Sequence, residues 1–209
     1  MNLNQLVYQF KIELLGISPP IWRRIQIPAK SSFWDLHVAI QDAMGWLDYH
    51  LHLFQIRQKS KRKMLEIGIP DEESEEVILP GWEIKISDYF TEPGIAASYD
   101  YDFGDGWTHN VLFEGILLKE TGGKYPKCLA GDRACPPEDC GGVPGYERLI
   151  EILKNRKHHE YQETIDWVKI HAVNYFPYMP DHFEPSKVHF WDPKKRWELA
   201  FSSRQTEEC

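Results

Sequence analysis

The sequence predicts an α+β protein: a mixed β-sheet with one helix packed on it and additional helices toward the carboxyl terminus. Three observations predict this. Period-two patterning appears twice before any helical spacing, a capped amphipathic helix follows at 32–45, and the region after residue 145 carries mainly helical spacing. The opening order of strand, strand, helix, strand is compatible with a β-grasp-like sheet holding one helix, and it departs from a regular βαβ alternation.

In "VYQFKIELLG", Tyr8, Phe10, Ile12 and Leu14 share one parity while Gln9, Lys11 and Glu13 share the other, as in a half-buried strand. "SPP" turns the chain, and "IWRRIQIP" puts Ile21, Ile25 and Ile27 on one face, interrupted by Arg23. Such an arginine is expected to snorkel to the rim or pair with a carboxylate, with ligand binding as the alternative. "SSFWDLHVAIQDAMGW" is punctuated as a helix: Ser32 caps it, Asp35 completes a capping box, and Gly45 ends it. Phe33, Leu36, Ile40 and Met44 form its inward stripe. In "HLHLFQIRQ", His50, His52, Phe54 and Ile56 share one face and Leu51, Leu53 and Gln55 the other, which predicts a central strand. The runs "KSKRK" and "DEESEE" read as solvated loops.

"AASYDYDFGDGWTHNVLFEGILL" predicts a hairpin about a two-residue Asp105-Gly106 turn, which pairs Gly104 with Trp107, Phe103 with Thr108 and Asp102 with His109. Farther on, Tyr146, Leu149, Ile150 and Leu153 give one amphipathic helix, and Tyr161, Ile165, Val168 and Ala172 a second. "DPKKRWELAF" opens a last helix with Asp192 as cap and Pro193 in the first position.

The chain has 209 residues, 42% of them hydrophobic, enough for one substantial core. Its net charge of -8 argues against a general attraction to phosphate backbones. No apolar run approaches the ~20 residues that cross a bilayer, and the amino terminus lacks a secretory pattern, so a cytoplasmic protein without membrane association is expected. In that compartment the 4 cysteines are expected as reduced thiols or metal ligands.

Five stretches, "PPIWRRIQIP", "LHVAIQDAMGW", "HLHLFQI", "YDFGDGWTH" and "CLAGDRACPPEDCGGVPGYERL", together resemble the plasmid pRiA4b open-reading-frame-three-like family. The resemblance covers roughly residues 5–175, and it implies one α+β domain over 1–175 with an extension over 176–209 packed on it. It further implies a contextual link to plasmids and mobile elements and no established activity. Cysteines of the family pattern match Cys128 and Cys135.

Two constellations could carry chemistry. Cys128, Cys135 and Cys140 follow a Cys-x6-Cys-x4-Cys spacing, unlike the paired knuckles of zinc sites. They read as a rigid turn with free thiols leading into the helix at Tyr146, or as three corners of a zinc tetrahedron completed by Cys209, His109 or an aspartate. His50, His52, Asp102 and His109 could form a divalent-metal site or an acid/base pair, against the alternative that they are bonded within the sheet. There is no GxSxG elbow, phosphate-cradling glycine loop or GxGxxG. The expected function is a non-enzymatic binding or accessory module that recognises a protein or other macromolecule around the histidine strand and the hairpin, with Arg23, Asp105 and Trp107 as binding residues. A metal-dependent hydrolase built on the His/Asp cluster competes with it. Nucleic-acid binding through Lys59, Lys61, Arg62 and Lys63 is the third reading, and a protein partner is preferred.

Overall fold

The computed structural model describes residues 2–57, 64–70 and 77–201. The basic run, the acidic run at 71–76 and Cys209 lie outside them. The described strands are β1 (Leu6–Leu14), β2 (Ile21–Pro28), β3 (His52–Arg57), β4 (Met64–Gly68), β5 (Ile78–Pro80), β6 (Ala96–Tyr101), β7 (Trp107–Leu118) and β8 (Lys127–Asp132). They form one sheet in the order β5-β4-β3-β6-β7-β1-β2-β8, antiparallel except for β4 and β5. The predicted α+β class therefore holds, with β3 in the interior of the sheet as its sequence implies. β3 enters beside β6, so β6 and β7 separate it from β1.

The alternation in β1 works as its sequence implies. Tyr8, Phe10, Ile12 and Leu14 enter the core, while Gln9, Lys11 and Glu13 lie on the wetter face. On that face Arg24 grips Glu114 with two hydrogen bonds of 2.7 and 2.8 Å, the fork geometry that suits a carboxylate. Across the core lies α1 (Phe33–Met44), whose Ser32/Asp35 capping box and left-handed Gly45 (φ 93°) set its ends. Phe33, Leu36, Ile40 and Met44 are all buried, as expected, and join the cluster of Phe10, Ile25, Phe54 and Phe113. Each such side chain contributes about 1.5–3 kcal/mol by leaving water.

The far side of α1 is buried as well, because the carboxyl-terminal segment crosses it. The helix α4 (Pro193–Phe201), started by Asp192 Oδ1 accepting from the N–H groups of Lys194 and Lys195, sends Arg196 back to the first half of the chain. Its guanidinium donates to Asp42 Oδ1 at 2.8 Å and to Asp48 Oδ2 at 3.1 Å. Trp191 N–H bonds Asp42 Oδ2 at 2.8 Å, and Trp34 Nε1 donates to Pro193 O at 2.9 Å. Burial raises the Asp42 pKa to about 6. At Asp48 burial pushes the same way, but His37, 2.9 Å from Oδ1, and Arg196 outweigh it and hold the carboxyl below its usual range.

The hairpin departs from its expected register. Tyr101 pairs with Trp107, Asp100 with Thr108 and Tyr99 with His109, so Asp102 and His109 are not cross-strand neighbours. The physical reason is an Asx turn: Asp102 Oδ1 accepts from the N–H groups of Gly104 and Asp105 at 3.0 and 3.3 Å, and Gly106 N–H closes onto Asp102 O. The loop therefore starts at Asp102 and removes the predicted contact.

Arg23 also differs from expectation. It is 1% exposed, neither snorkels nor meets a carboxylate, and donates to the carbonyls of Ala43, Trp22 and Asp132. The Ala43 carbonyl at the end of α1, together with the Trp22 and Asp132 carbonyls on β2 and β8, provides this polar environment. After β8 the chain forms α2 (Gly142–Lys154) and α3 (Tyr161–His171), close to both predicted helices.

Candidate functional site

Three loops converge at one end of the sheet: 46–51 between α1 and β3, 102–106 in the hairpin, and 133–141 between β8 and α2. Their approach is close. A Cβ on Gly142 would stand 2.4 Å from Asp105 O, so only glycine fits there. Asp105 Oδ2 accepts from Gly141 N–H at 3.1 Å and ties the second loop to the third. Asp48 (φ 63°), Asp102 (φ 55°) and Asp139 (φ 56°), one in each loop, have left-handed backbones, which cost on the order of 1 kcal/mol apiece for non-glycine residues.

His50 stands at the centre. It precedes β3, and its Nε2 lies 3.0 Å from Asp139 Oδ1, 3.6 Å from Asp102 Oδ2 and 3.6 Å from Glu138 Oε2. Despite these distances Nε2 forms no aligned hydrogen bond, and neither does Glu138 Oε2. Two of the carboxylates share one design. Asp102 anchors Oδ1 in its own turn; Glu138 anchors Oε1 on Leu47 N–H (2.7 Å), Asp48 N–H (3.3 Å) and the Tyr101 hydroxyl (2.8 Å). Each leaves its second oxygen beside the imidazole. Glu138 is 2% exposed, and burial raises its pKa against the pull of these donors. Asp139 is exposed and its Oδ2 lies 3.6 Å from His171 Nδ1, at the end of α3.

Such a set suits a divalent cation. Ligand atoms of His50, Asp102 and Asp139 all lie within 4.8 Å of one another. For bonds of about 2.1 Å, neighbouring ligands stand about 3.0 Å apart in an octahedron and about 3.4 Å apart in a tetrahedron, close to the spacing about Nε2. One imidazole nitrogen among carboxylate oxygens is a donor set that suits manganese or zinc. The anchored oxygens supply the outer contacts that orient metal ligands.

The other sequence candidates go elsewhere. His52 and His109 turn into the core, where burial lowers the first well below its usual pKa and the second to about 4. His52 lies against His37 with ring centroids 3.5 Å apart, and His109 bonds Tyr99 O. The expectation that His50 and His52 project together fails because the bend at His50 precedes the strand. Trp107, expected at a binding surface, is 1% exposed and packs near Trp46. Cys128, Cys135 and Cys140 are free thiols, and among the described residues they form no metal-sized cluster. Burial raises Cys128 to about 11, Cys140 to about 12 and Cys135 further, so all three are neutral at physiological pH. Their loop has another role: Pro136 O receives bonds from Trp46 Nε1 and the Tyr175 hydroxyl, which fixes Glu138 in place. Glu138 and Asp139 fall inside the stretch whose sequence reads as a rigid turn, which does not by itself mark them as site residues. Two acids held rigidly between a proline pair and a glycine pair were the available signal.

The family model described as "Plasmid pRiA4b ORF-3-like protein" matches residues 6–187. The chain belongs to this family. A pRiA4b ORF-3-like fold is also seen in the crystal structure of MM3350, a protein of unknown function from Methanosarcina mazei Go1. It aligns with a TM-score of 0.78 at 41% identity over 89% of this chain and 99% of that one. The uncharacterised protein y4hQ of Sinorhizobium fredii is 32% identical over 162 residues, 77% of this chain and 80% of its own length. The pRiA4b ORF-3-like match continues past residue 175 into the carboxyl-terminal segment. No helix among the described residues is long and apolar enough to cross a membrane.

Proposed function

We propose that this pRiA4b ORF-3-like protein is a divalent-cation-dependent hydrolase whose cation is held by His50, Asp102 and Asp139, with Glu138 beside it. The observation that carries the reading is the buried, unbonded Glu138 Oε2 facing the unbonded His50 Nε2 at 3.6 Å. A buried carboxylate oxygen left without a partner is unfavourable, even where the other oxygen of the group is well bonded, and a cation supplies what Oε2 and Nε2 lack. The exposed side, at Asp139 and His50, leaves coordination positions to water, whose pKa a bound cation lowers. Glu138, whose unbonded Oε2 faces His50 at 3.6 Å, would be the carboxylate placed to take a proton from such a water.

The test is calorimetric titration of the full chain with Mn2+ and Zn2+, paired with a hydrolysis screen. One equivalent should bind. His50→Ala and Asp102→Asn should weaken binding more than about 100-fold, beyond the effect of losing an outer contact. Cys128→Ser should leave it unchanged. Absence of binding, or binding that survives His50→Ala, overturns the site; binding without hydrolysis overturns the enzyme.

The second reading, a binding module, is favoured by Tyr49, Leu51 and Phe103, which are 73%, 52% and 59% exposed beside His50 and Asp102. Large apolar groups exposed together suit a protein partner. The neighbouring acids oppose a nucleic-acid backbone. The link to mobile elements and a cytoplasmic location belong with this reading.

A further inference from the structure

A cavity of about 310 Å3 lies between the end of α1 and the segment 174–191, and none of His50, Asp102, Glu138 or Asp139 lines it. Its volume is that of a small-molecule site. Trp46, Tyr175, Phe176, Phe183 and Trp191 supply aromatic walls. Arg23, also in the lining, is 1% exposed. Its Nε and Nη1 donate to three carbonyl oxygens at 2.8 to 3.0 Å, and Phe183 covers one face with its ring centre 3.6 Å from Cζ. Nη2 makes no hydrogen bond among the described residues. The other lysine and arginine side chains of the wall are neutralised: Lys187 by Glu184 at 2.9 Å, and Arg196 by Asp42 and Asp48. No described carboxylate reaches ion-pair distance of Arg23. Carbonyl dipoles satisfy the N–H groups of Nε and Nη1 but carry no full counter-charge.

We propose that this cavity binds a small organic anion with an aromatic or other flat apolar body, its carboxylate or equivalent oxyanion meeting Arg23 Nη2. A neutral apolar ligand would leave the guanidinium without its counter-charge. A macromolecule is too large for the volume. Nη2 is the guanidinium nitrogen left to address anionic oxygen, and charge-assisted bonds of this kind are the stronger class. The aromatic walls provide apolar contact for the rest of the molecule.

Benzoate tests the idea, with benzyl alcohol as the same ring lacking the charge, each titrated calorimetrically into the full chain. Benzoate should saturate with a Kd of about 1 mM or tighter, and benzyl alcohol should bind at least about 10-fold more weakly. Arg23→Lys should weaken benzoate about 10-fold, because lysine lacks the planar fork. Arg23 also holds α1, so Val188→Trp gives an independent arm: it fills the cavity, leaves Arg23 in place and should abolish benzoate binding. Equal affinity for the two probes, no saturation by benzoate, or binding unchanged in Val188→Trp overturns the proposal. The cation titrations above are unaffected by either result.

Discussion

Replacing Tyr101 with Phe isolates the hydroxyl on which the candidate site rests. The ring is 1% exposed and stacks on Trp46 with centroids 4.9 Å apart, contacts that phenylalanine keeps. Only the hydroxyl's two bonds disappear: donation to Glu138 Oε1 at 2.8 Å and acceptance from Tyr49 N–H at 3.1 Å. A bond to a charged group contributes about 1.5–3 kcal/mol, and a half-buried N–H left without a partner costs about 1 kcal/mol more. The expected loss is therefore about 2.5–4 kcal/mol. At about 2–4 °C per kcal/mol for a chain of this size, the melting temperature should fall by roughly 5–15 °C. Urea unfolding followed by tryptophan fluorescence gives the free energy directly, and an unchanged slope would confirm that the unfolded state is not what changed. Cation affinity should fall about 10–100-fold, since Glu138 then keeps only backbone donors on Oε1. A stability loss below about 1 kcal/mol would refute the reasoning and show that the Tyr101 hydroxyl does not hold Glu138.

Acidification should destabilise the protein through His109. Its folded pKa of about 4 lies below the unfolded value, so the unfolded chain binds the extra proton; stability present above pH ~6.5 falls as pH drops toward 4, by at most about 3 kcal/mol from this group. Chemical unfolding at stepped pH measures it, and a flat profile in the wild type, or the same slope in His109→Asn, would count against it. His52→Phe should be neutral or stabilise by about 1 kcal/mol, because it removes two buried ring nitrogens that have no hydrogen-bond partner. A melting temperature lower than wild type by several degrees would show that those nitrogens are satisfied in solution.

The elements with local signals were legible. The alternation of β1, the Ser32/Asp35 box and the Gly45 stop all follow from neighbours a few residues apart, and they appear where the sequence puts them. Asp102 misled because two local rules competed: Asp105-Gly106 favours a tight turn, while the Asp102 side chain favours its own Asx turn three residues earlier. Glu138 could not be read because its donors lie on Leu47 and Asp48, 91 and 90 residues away. Arg23 was equally hidden. The carbonyl of Ala43 that accepts from it exists only once α1 is docked. His50 and Asp102 were identified as possible ligands through a shared strand face with His52 and a cross-strand pairing with His109, neither of which the structure keeps, whereas the partners that complete their site come from long-range packing.

The contact of Arg196 with Asp42 and Asp48 has a consequence for how the protein is made. Those acids leave the ribosome 154 and 148 residues before the guanidinium that neutralises them. At about 5–20 residues per second, that interval is roughly 7–30 s. During it the sheet can assemble from the strands already emerged, but α1 still shows water the face that α4 will cover. The loop holding Asp48 and His50 lacks its clamp for the same interval. The amino-terminal segments therefore wait as an incomplete fold in the growing chain, and docking of α4 is a late step that closes α1 and steadies the loop carrying His50.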